Sequence, residues 1–302
     1  MAIITSSSFA KALWPGVNAW YGKSYKDYPT EFDKIFPKSS SKKAYEEDVG
    51  TSSLGLAQEK GQGDSVSYDD ERQGFTTRYS HIVYALGFII TREMYEDDQY
   101  GVVGKRKSTA LARSMRQTKE TVAANVLNRA FNSSYTGGDA VELLSTAHVN
   151  VAGGTFANEL ATAADLSEAS LEQACIDIAA FTDDRGLLIA AKPTKLIIHP
   201  ANMFEAQRIL KGNLQVNSAD NNINALKDMG VVGSIVINHY LTDADAWFLQ
   251  TDVPDGLKYF ERRGDQFEMD NDFDTENAKF KATGRYSFGW SDPRGFFGSP
   301  GA

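Results

Sequence analysis

The chain has 302 residues, of which 42% are hydrophobic and 24% charged, which is ordinary globular usage and excludes extensive disorder. No apolar run approaches the roughly 20 residues that a membrane-spanning helix needs. A net charge of −9 argues against generic binding to nucleic acid or anionic membranes. The single Cys175 cannot form an intrachain disulfide, so we expect folding in a reducing compartment.

Residues 1–45 have the composition of an extended arm. They carry seven lysines against three acids, and three prolines interrupt any long element. The aromatic residues of the arm are Trp14, Trp20, Tyr21, Tyr25, Tyr28, Phe32 and Phe36. Because such a segment cannot supply its own core, we expect it to dock on the rest of the chain or on a second copy.

A polar, glycine-punctuated stretch follows the arm. It runs to Gly74, and the next ten residues, 75–84, are rich in aromatic and β-branched types, as in a strand. A structureless loop this long inside a compact domain would be unusual. We therefore predict a two-stranded hairpin over residues 46–87 that leaves the globular body and returns to it.

The strongest helix prediction covers residues 105–131, which contain no glycine or proline. The positions that recur at helical spacing are Leu111, Met115, Thr118, Val122 and Val126. At ~1.5 Å per residue this helix would span roughly 40 Å. Basic residues exceed acidic ones by six over residues 105–129, and we place this basic cluster on the opposite face.

Helices and strands alternate in the remainder, which makes the fold class α+β. Asp165 and Glu168 have capping-box spacing before a helix that carries Cys175 on its apolar stripe. Pro200 is well placed to open a helix that extends through Leu210. The strands that we predict in this part are 196–198, 231–240, 246–249 and 279–290.

The histidines, glycines and cysteine form no pattern typical of catalysis. His81, His148, His199 and His239 lack a second ligand at metal-binding spacing, and we interpret each as packed or hydrogen-bonded. Residues 61–66 begin like a dinucleotide fingerprint but lack its third glycine, which favours a hairpin tip. We predict no catalytic residues, no cofactor and no enzyme activity.

Residues 270–274 carry three carboxylates at alternate positions, as a calcium loop does. However, Thr275 stands where the sharp turn needs glycine, and Lys281 replaces the bidentate glutamate. A charged surface loop is therefore favoured, with a weak structural cation as the alternative. We predict no metal site.

The order of these parts resembles the major capsid proteins of tailed bacteriophages: an aromatic arm, a long hairpin, a long basic helix, and then mixed α+β structure. Local segments are similar to Mu-like major head subunits, namely residues 143–148, 154–158, 196–200, 241–248 and 285–295. The resemblance implies the Hong Kong 97-like capsid fold. The implied parts are an N-terminal arm (1–45), an E-loop (46–87), a peripheral domain (88–150 and 256–290) with a spine helix (105–131), and an axial domain (151–255 and 291–302).

The resemblance also implies a function in assembly. We expect a structural subunit that forms the pentamers and hexamers of an icosahedral phage head enclosing double-stranded DNA, made in the cytoplasm of a bacterial host and located in the virion capsid. Implied partners are other copies of the chain, a separate scaffolding protein, a portal, and packaged DNA bound without sequence specificity, with no membrane. The alternatives are an encapsulin-type nanocompartment shell and an unrecognised cytoplasmic α+β enzyme.

Opposed charge blocks suggest where copies meet. We expect six acids of the hairpin to face basic residues of the long helix across an interface. The acids are Glu46, Glu47, Asp48, Asp69, Asp70 and Glu71, and the basic residues are Lys105, Arg106 and Lys107. Trp14 and Trp20 of the arm and Lys60 of the hairpin are further candidate contacts, although we do not predict a covalent cross-link at Lys60.

Overall fold

A computed structural model describes residues 18–97, 100–215, 222–272, 274 and 276–302. The helices are α1 (residues 18–27), α2 (Arg92–Glu96), α3 (Tyr100–Asn128), α4 (Glu168–Ala179), α5 (Met203–Lys211) and α6 (Ala225–Met229). The strands are β1 (Lys38–Ser40), β2 (Tyr45–Thr51), β3 (Gln73–Ser80), β4 (Ile82–Ile90), β5 (His148–Val149), β6 (Thr155–Phe156), β7 (Pro193–Ile198), β8 (Ser234–Ile237), β9 (Trp247–Thr251), β10 (Leu257–Asn271), β11 (Ala278–Trp290) and β12 (Phe296–Ser299).

The first of two main sheets, here the long-strand sheet, has the order β1-β10-β11-β4. Strands β10 and β11 form a long antiparallel pair, β4 adds antiparallel to β11, and β1 adds parallel to β10. The predicted strand over 279–290 is confirmed as β11. Helix α3 covers one face of this sheet, where Leu111 and Met115 pack with Ala282.

The second sheet, here the short-strand sheet, has the order β12-β9-β7-β8. Its core is built around Trp247, against which the apolar side chains of α4 and α5 pack in one cluster. Buried Trp247 donates its indole N–H to the carbonyl oxygen of Ala164 at 3.0 Å, so its polar atom is satisfied. The predicted helix from Pro200 is confirmed, with one 3-10 turn at Pro200–Asn202 before α5.

The arm docks on its own chain where the two sheets meet. Its 3-10 turn, Phe32–Lys34, buries Phe32, Ile35 and Phe36 in one cluster with α3 and both sheets. Phe32 and Phe36 make edge-on contacts with Tyr259 and Phe288, at ring-centroid separations of 5.4 and 5.1 Å. This junction core gives the proline-broken arm the apolar surroundings that it cannot provide itself.

The boundaries of α3 differ from the predicted 105–131. The helix begins at Tyr100, so Gly101 and Gly104 lie inside its first turns. It ends at Asn128, whose side-chain amide donates to the Tyr240 carbonyl oxygen at 3.1 Å and accepts from Thr242 N at 3.0 Å. The side chain of Asn128 thus bonds to the Tyr240–Thr242 backbone instead of continuing a helical surface.

The predicted capping box of α4 was wrong in its residues. Ser167 is the N-cap, and its hydroxyl accepts from Ser170 N at 3.2 Å while Ser170 Oγ accepts from Ser167 N at 2.9 Å. Asp165 instead accepts from the backbone N–H of Ala302 at 2.9 Å. Serine satisfies the same unpaired backbone donors as aspartate and glutamate do.

Two strand predictions were also imprecise. The run over 75–84 belongs to two strands, β3 and β4, which are interrupted at His81. The strand predicted at 231–240 is confirmed only over Ser234–Ile237. None of the described helices is both long and apolar enough to cross a membrane.

We predict that Phe36→Ala destabilises the chain by about 3–5 kcal/mol, because it opens a cavity in the junction core where Phe36 is 2% exposed. Urea unfolding would measure the loss. Phe204→Ala, at a side chain that is 65% exposed, serves as the control and should change stability by less than about 0.5 kcal/mol. Equal losses in the two variants would contradict the role of the junction core.

Candidate assembly surfaces

A hairpin is present within the predicted range, but its paired strands are β2 and β3 only, because residues 82–87 belong to β4 of the long-strand sheet. Its base is an antiparallel pair with one register shift between Val49 and Thr51. Strand β2 pairs with β3 from Tyr45↔Ser80 to Thr51↔Gln73. Residues 52–72 between them contain no strand and expose four large apolar side chains. These are Leu54, Leu56, Val66 and Tyr68. The hairpin therefore consists of an ordered base and a long apolar-studded tip, a surface suited to contact with another molecule.

Asp48 anchors the base of the hairpin to the long-strand sheet. Its carboxylate forms an ion pair with Lys258 and accepts from Ser291 Oγ at 2.5 Å. Burial opposes ionisation, but the hydrogen bonds from Lys258 and Ser291 hold the pKa of Asp48 below its usual range. Asp48 is thus held by its own chain.

Two other acids at the base of the hairpin also have partners in the same chain. Glu46 accepts from Ser41 Oγ at 2.7 Å and pairs with Lys43 at 3.0 Å. Glu47 pairs with Arg78 on the facing strand at 2.6 Å. These contacts tie the start of the hairpin to the adjoining turn and strand.

Arg185 ties the tip of the hairpin to the second half of the chain, through the Asp69 carboxylate and the Asp70 carbonyl oxygen. Asp69 accepts from Gly55 N at 2.7 Å and forms an ion pair with Arg185 in the loop after α4. Lys60, Asp70 and Glu71 are exposed. The last two are therefore the hairpin acids whose side chains are best placed to meet another copy.

The basic residues Lys105, Arg106 and Lys107 are exposed near the start of α3. Among the described residues, no hydrogen bond or ion pair joins them to the hairpin acids. Lys105 and Arg106 line an open trough that Tyr28, Val102 and Arg113 also border. The structure therefore presents a basic surface with an apolar edge, and it separates this surface from the hairpin of the same subunit.

Of the two arm tryptophans predicted to contact another copy, the structure describes only Trp20. Trp20 is half-buried against Ile90 and Phe280 at one end of the long-strand sheet. It contacts its own chain, which leaves only part of its surface for a neighbour. Trp14 lies outside the described residues.

A buried charge cluster lies under α3, and the sequence prediction missed it. Lys119 was placed on the basic solvent face, but it is 3% exposed. Its Nζ lies 3.2 Å from Asp265 Oδ2 and 3.7 Å from Glu261 Oε2, both on β10. The spacing of four from Met115 is the signal that could have placed Lys119 on the inner face.

The neighbouring Glu120 is also buried and binds the arm. Its two carboxylate oxygens each accept a backbone N–H at 3.0 Å, one from Glu31 and one from Phe32. Burial raises the pKa of Glu120, and the two backbone donors oppose that rise. A helix carboxylate thus caps the 3-10 turn that carries Phe32 into the junction core.

The described residues contain no group of three or more His, Cys, Asp or Glu side chains that could hold a metal ion. In the calcium-like segment, Asp272 forms an ion pair with Lys279. Cys175 packs at the edge of the core around Trp247, where burial raises the pKa of its thiol to about 11. A thiol held protonated in this way is a poor nucleophile.

Comparison with known proteins identifies the class. Solved structures that share the fold include the capsid of a native GTA particle, with a TM-score of 0.53, 15% identity and 89% of each chain covered. The capsid of Myoviridae phage XM1 gives 0.52, with 7% identity and 91% of this chain and 93% of that chain covered. A virus-like particle from Pyrococcus furiosus gives 0.50, with 11% identity and coverage of 94% and 97%. The chain has the Hong Kong 97-like capsid fold.

A family model described as phage capsid protein matches residues 74–298. The chain therefore belongs to the phage capsid protein family and is a capsid structural protein. No curated protein matches it. Similarity to the Mu-like group within the family stays a prediction.

We predict that Lys119→Met costs about 3–5 kcal/mol, since it leaves buried carboxylates without their cation. Lys38→Met is the matched control, because Lys38 contacts the same Glu261 at 2.8 Å from a side chain that is 58% exposed. It should cost at most about 1 kcal/mol. Chemical denaturation of both variants would measure the difference in stability. Similar losses would show that burial of the cluster does not make its cation more important for stability.

Proposed function

We propose that this chain is the non-enzymatic building block of an icosahedral phage head, forming pentamers and hexamers that enclose double-stranded DNA. The observation that carries the proposal is the match to the phage capsid protein family over most of the chain. The hairpin supports the proposal, because an extension with an exposed apolar tip can contact a neighbouring subunit over a larger area than a compact body alone could.

We propose that the chain has four parts. The arm is residues 1–45, the E-loop is 46–87, the peripheral domain is 88–150 and 256–290, and the axial domain is 151–255 and 291–302. The E-loop lies over a neighbouring copy, while the arm reinforces the junction of the two sheets. Assembly takes place in the bacterial cytoplasm with a separate scaffolding protein and a portal, and the mature location is the virion capsid.

For the contact between copies, we propose that the hairpin tip meets the start of α3. Asp70 and Glu71 would face Lys105, Arg106 and Lys107, all of which are exposed. Asp69 is bound to Arg185 of its own chain, so its contribution requires release of that pair. Exposed pairs of this type contribute roughly 0.2–1 kcal/mol each and set register more than affinity.

An encapsulin-type shell is the second candidate, and similarity to a virus-like particle from Pyrococcus furiosus supports it. Both candidates form closed shells, but the contents differ. Nucleic acid inside purified particles supports the phage head, whereas a cargo protein supports the nanocompartment.

Electron microscopy of the purified recombinant chain tests the proposal directly. We expect capsomers, regular shells or curved sheets at raised protein concentration. A monodisperse small oligomer that never assembles further, with or without a co-expressed scaffolding protein, would contradict a shell-building function.

We predict that the double change Asp70→Lys and Glu71→Lys lowers the yield of shells and weakens its salt dependence. The physical reason is that it turns attraction into repulsion at the proposed contact. Light scattering across salt concentrations would measure this. Glu59→Lys, at an exposed site in the same loop, is the control. Unchanged assembly of the double variant would remove this contact from the interface.

A further inference from the structure

A buried histidine lies at the joint between the hairpin and the body. His81 occupies the break between β3 and β4 and is 7% exposed. Its Nδ1 lies 3.0 Å from Ser287 Oγ on β11, and its Nε2 lies 3.1 Å from Ser41 Oγ. Both ring nitrogens therefore have hydroxyl partners, and both serines are themselves buried.

The neighbours determine which nitrogen carries the proton. Ser41 donates its one hydroxyl hydrogen to Glu46 Oε1 at 2.7 Å. Its oxygen can therefore only accept from His81, which requires a proton on Nε2. In the neutral ring Nδ1 is then bare and accepts the hydroxyl hydrogen of Ser287. The result is a directed relay from Ser287 through His81 and Ser41 to Glu46.

This relay joins four segments at the base of the hairpin. Ser287 belongs to the long-strand sheet, His81 to the break, Ser41 to the turn before β2, and Glu46 to β2. Arg285 of β11 strengthens the joint by donating Nε–H to the His81 carbonyl oxygen at 3.2 Å. The hairpin can change its angle to the sheet only if these bonds rearrange.

A second proton on the ring conflicts with this arrangement. Protonated Nδ1 becomes a donor, so the Ser287 hydroxyl loses its acceptor and must rotate inside a buried site. The charged groups around the ring are Arg285 on β11, Arg262 on β10 and Glu46 on β2. Two cations and one carboxylate therefore surround the ring, and that carboxylate already binds Ser41 and Lys43. The positive charge of a protonated ring would be poorly neutralised there.

We propose that the relay is a proton-sensitive joint, in which protonation of His81 at Nδ1 loosens the base of the hairpin at the break between β3 and β4, while Asp48 stays bound to Lys258 and Ser291. The proton comes from solvent, and the hydrogen bond that is lost is the one that Ser287 Oγ donates to Nδ1, because protonated Nδ1 can only donate. The hairpin then pivots at the break between β3 and β4.

The direction of the pH dependence follows from linkage. Burial, with Arg285 in support and Glu46 in opposition, lowers the pKa of His81 below its ordinary 6.5. A loosened joint exposes the ring and returns its pKa towards that value, so the loosened state binds the proton more tightly. It therefore gains population as pH falls through 6.5, while at higher pH the ring is neutral in both states. For assembled shells, which rest on the proposed function, acid would loosen the hairpins that overlie neighbours.

Hydrogen exchange measured by mass spectrometry tests the joint in the full-length chain, kept in one assembly state as checked by sedimentation. After correction for intrinsic rates, we expect amides of β2 and β3 to lose protection several-fold between pH 7.5 and pH 5.5, while those of β10 and β11 keep theirs. The His81→Asn variant retains a donor and an acceptor but cannot titrate, so its protection should not depend on pH. The His239→Asn variant, at an exposed histidine that pairs with Glu31, should behave like the wild type.

Equal corrected protection of the wild-type hairpin at the two pH values overturns the proposal, as does a wild-type acid response in His81→Asn. Should His81→Asn fail to fold, Ser287→Ala gives the second test. It removes the donor that favours the neutral ring in the closed joint, so the pKa of His81 there moves closer to its value in the loosened joint and the acid-driven loss of protection should shrink. An acid response in Ser287→Ala as large as that of the wild type would also overturn the proposal. None of these outcomes depends on whether the chain forms shells.

Discussion

The packing of Phe32, Ile35 and Phe36 where the two sheets meet is the interaction on which the rest of the structure depends. Both sheets and helix α3 contribute apolar side chains to the junction, and the arm completes it. The arm is fixed there by hydrogen bonds between side chains and backbone: Gln250 Nε2 donates to the Ile35 carbonyl oxygen at 3.2 Å, and the Glu31 carboxylate accepts from His239 N at 2.9 Å. A segment without a core of its own thus holds both halves of the molecule together.

Two buried charged side chains of helix α3 position the arm. Glu120 caps the 3-10 turn of the arm, and Lys119 neutralises the carboxylates of β10 behind Tyr25. Buried ions are costly unless they are paired and fully hydrogen-bonded, so such groups specify one arrangement more than they stabilise it. Because the apolar surface near the arm could accept several positions, we interpret these two side chains as the determinants of its register.

The hairpin divides into a part that serves the subunit and a part that faces outward. Near its base, Glu46, Glu47 and Asp48 form ion pairs and hydrogen bonds within the chain. Their charge is therefore largely neutralised by the same subunit. The tip carries exposed Leu54, Leu56, Val66 and Tyr68, which a soluble monomer would have no reason to display. A firm base and an apolar tip suit a subunit whose contacts with other copies form after folding.

The sequence by itself determined the α+β class, the arm, the hairpin, the long helix and the final alternating strand. Each of these depends on local periodicity or on turn-forming residues, which are readable along the chain. Only the tertiary structure decided that Lys119 and Glu120 turn inward, that Asp69 binds Arg185, and that a strand breaks at His81. In these cases the partner lies far along the chain, and a charged or polar residue reads as solvent-exposed until the fold supplies that partner.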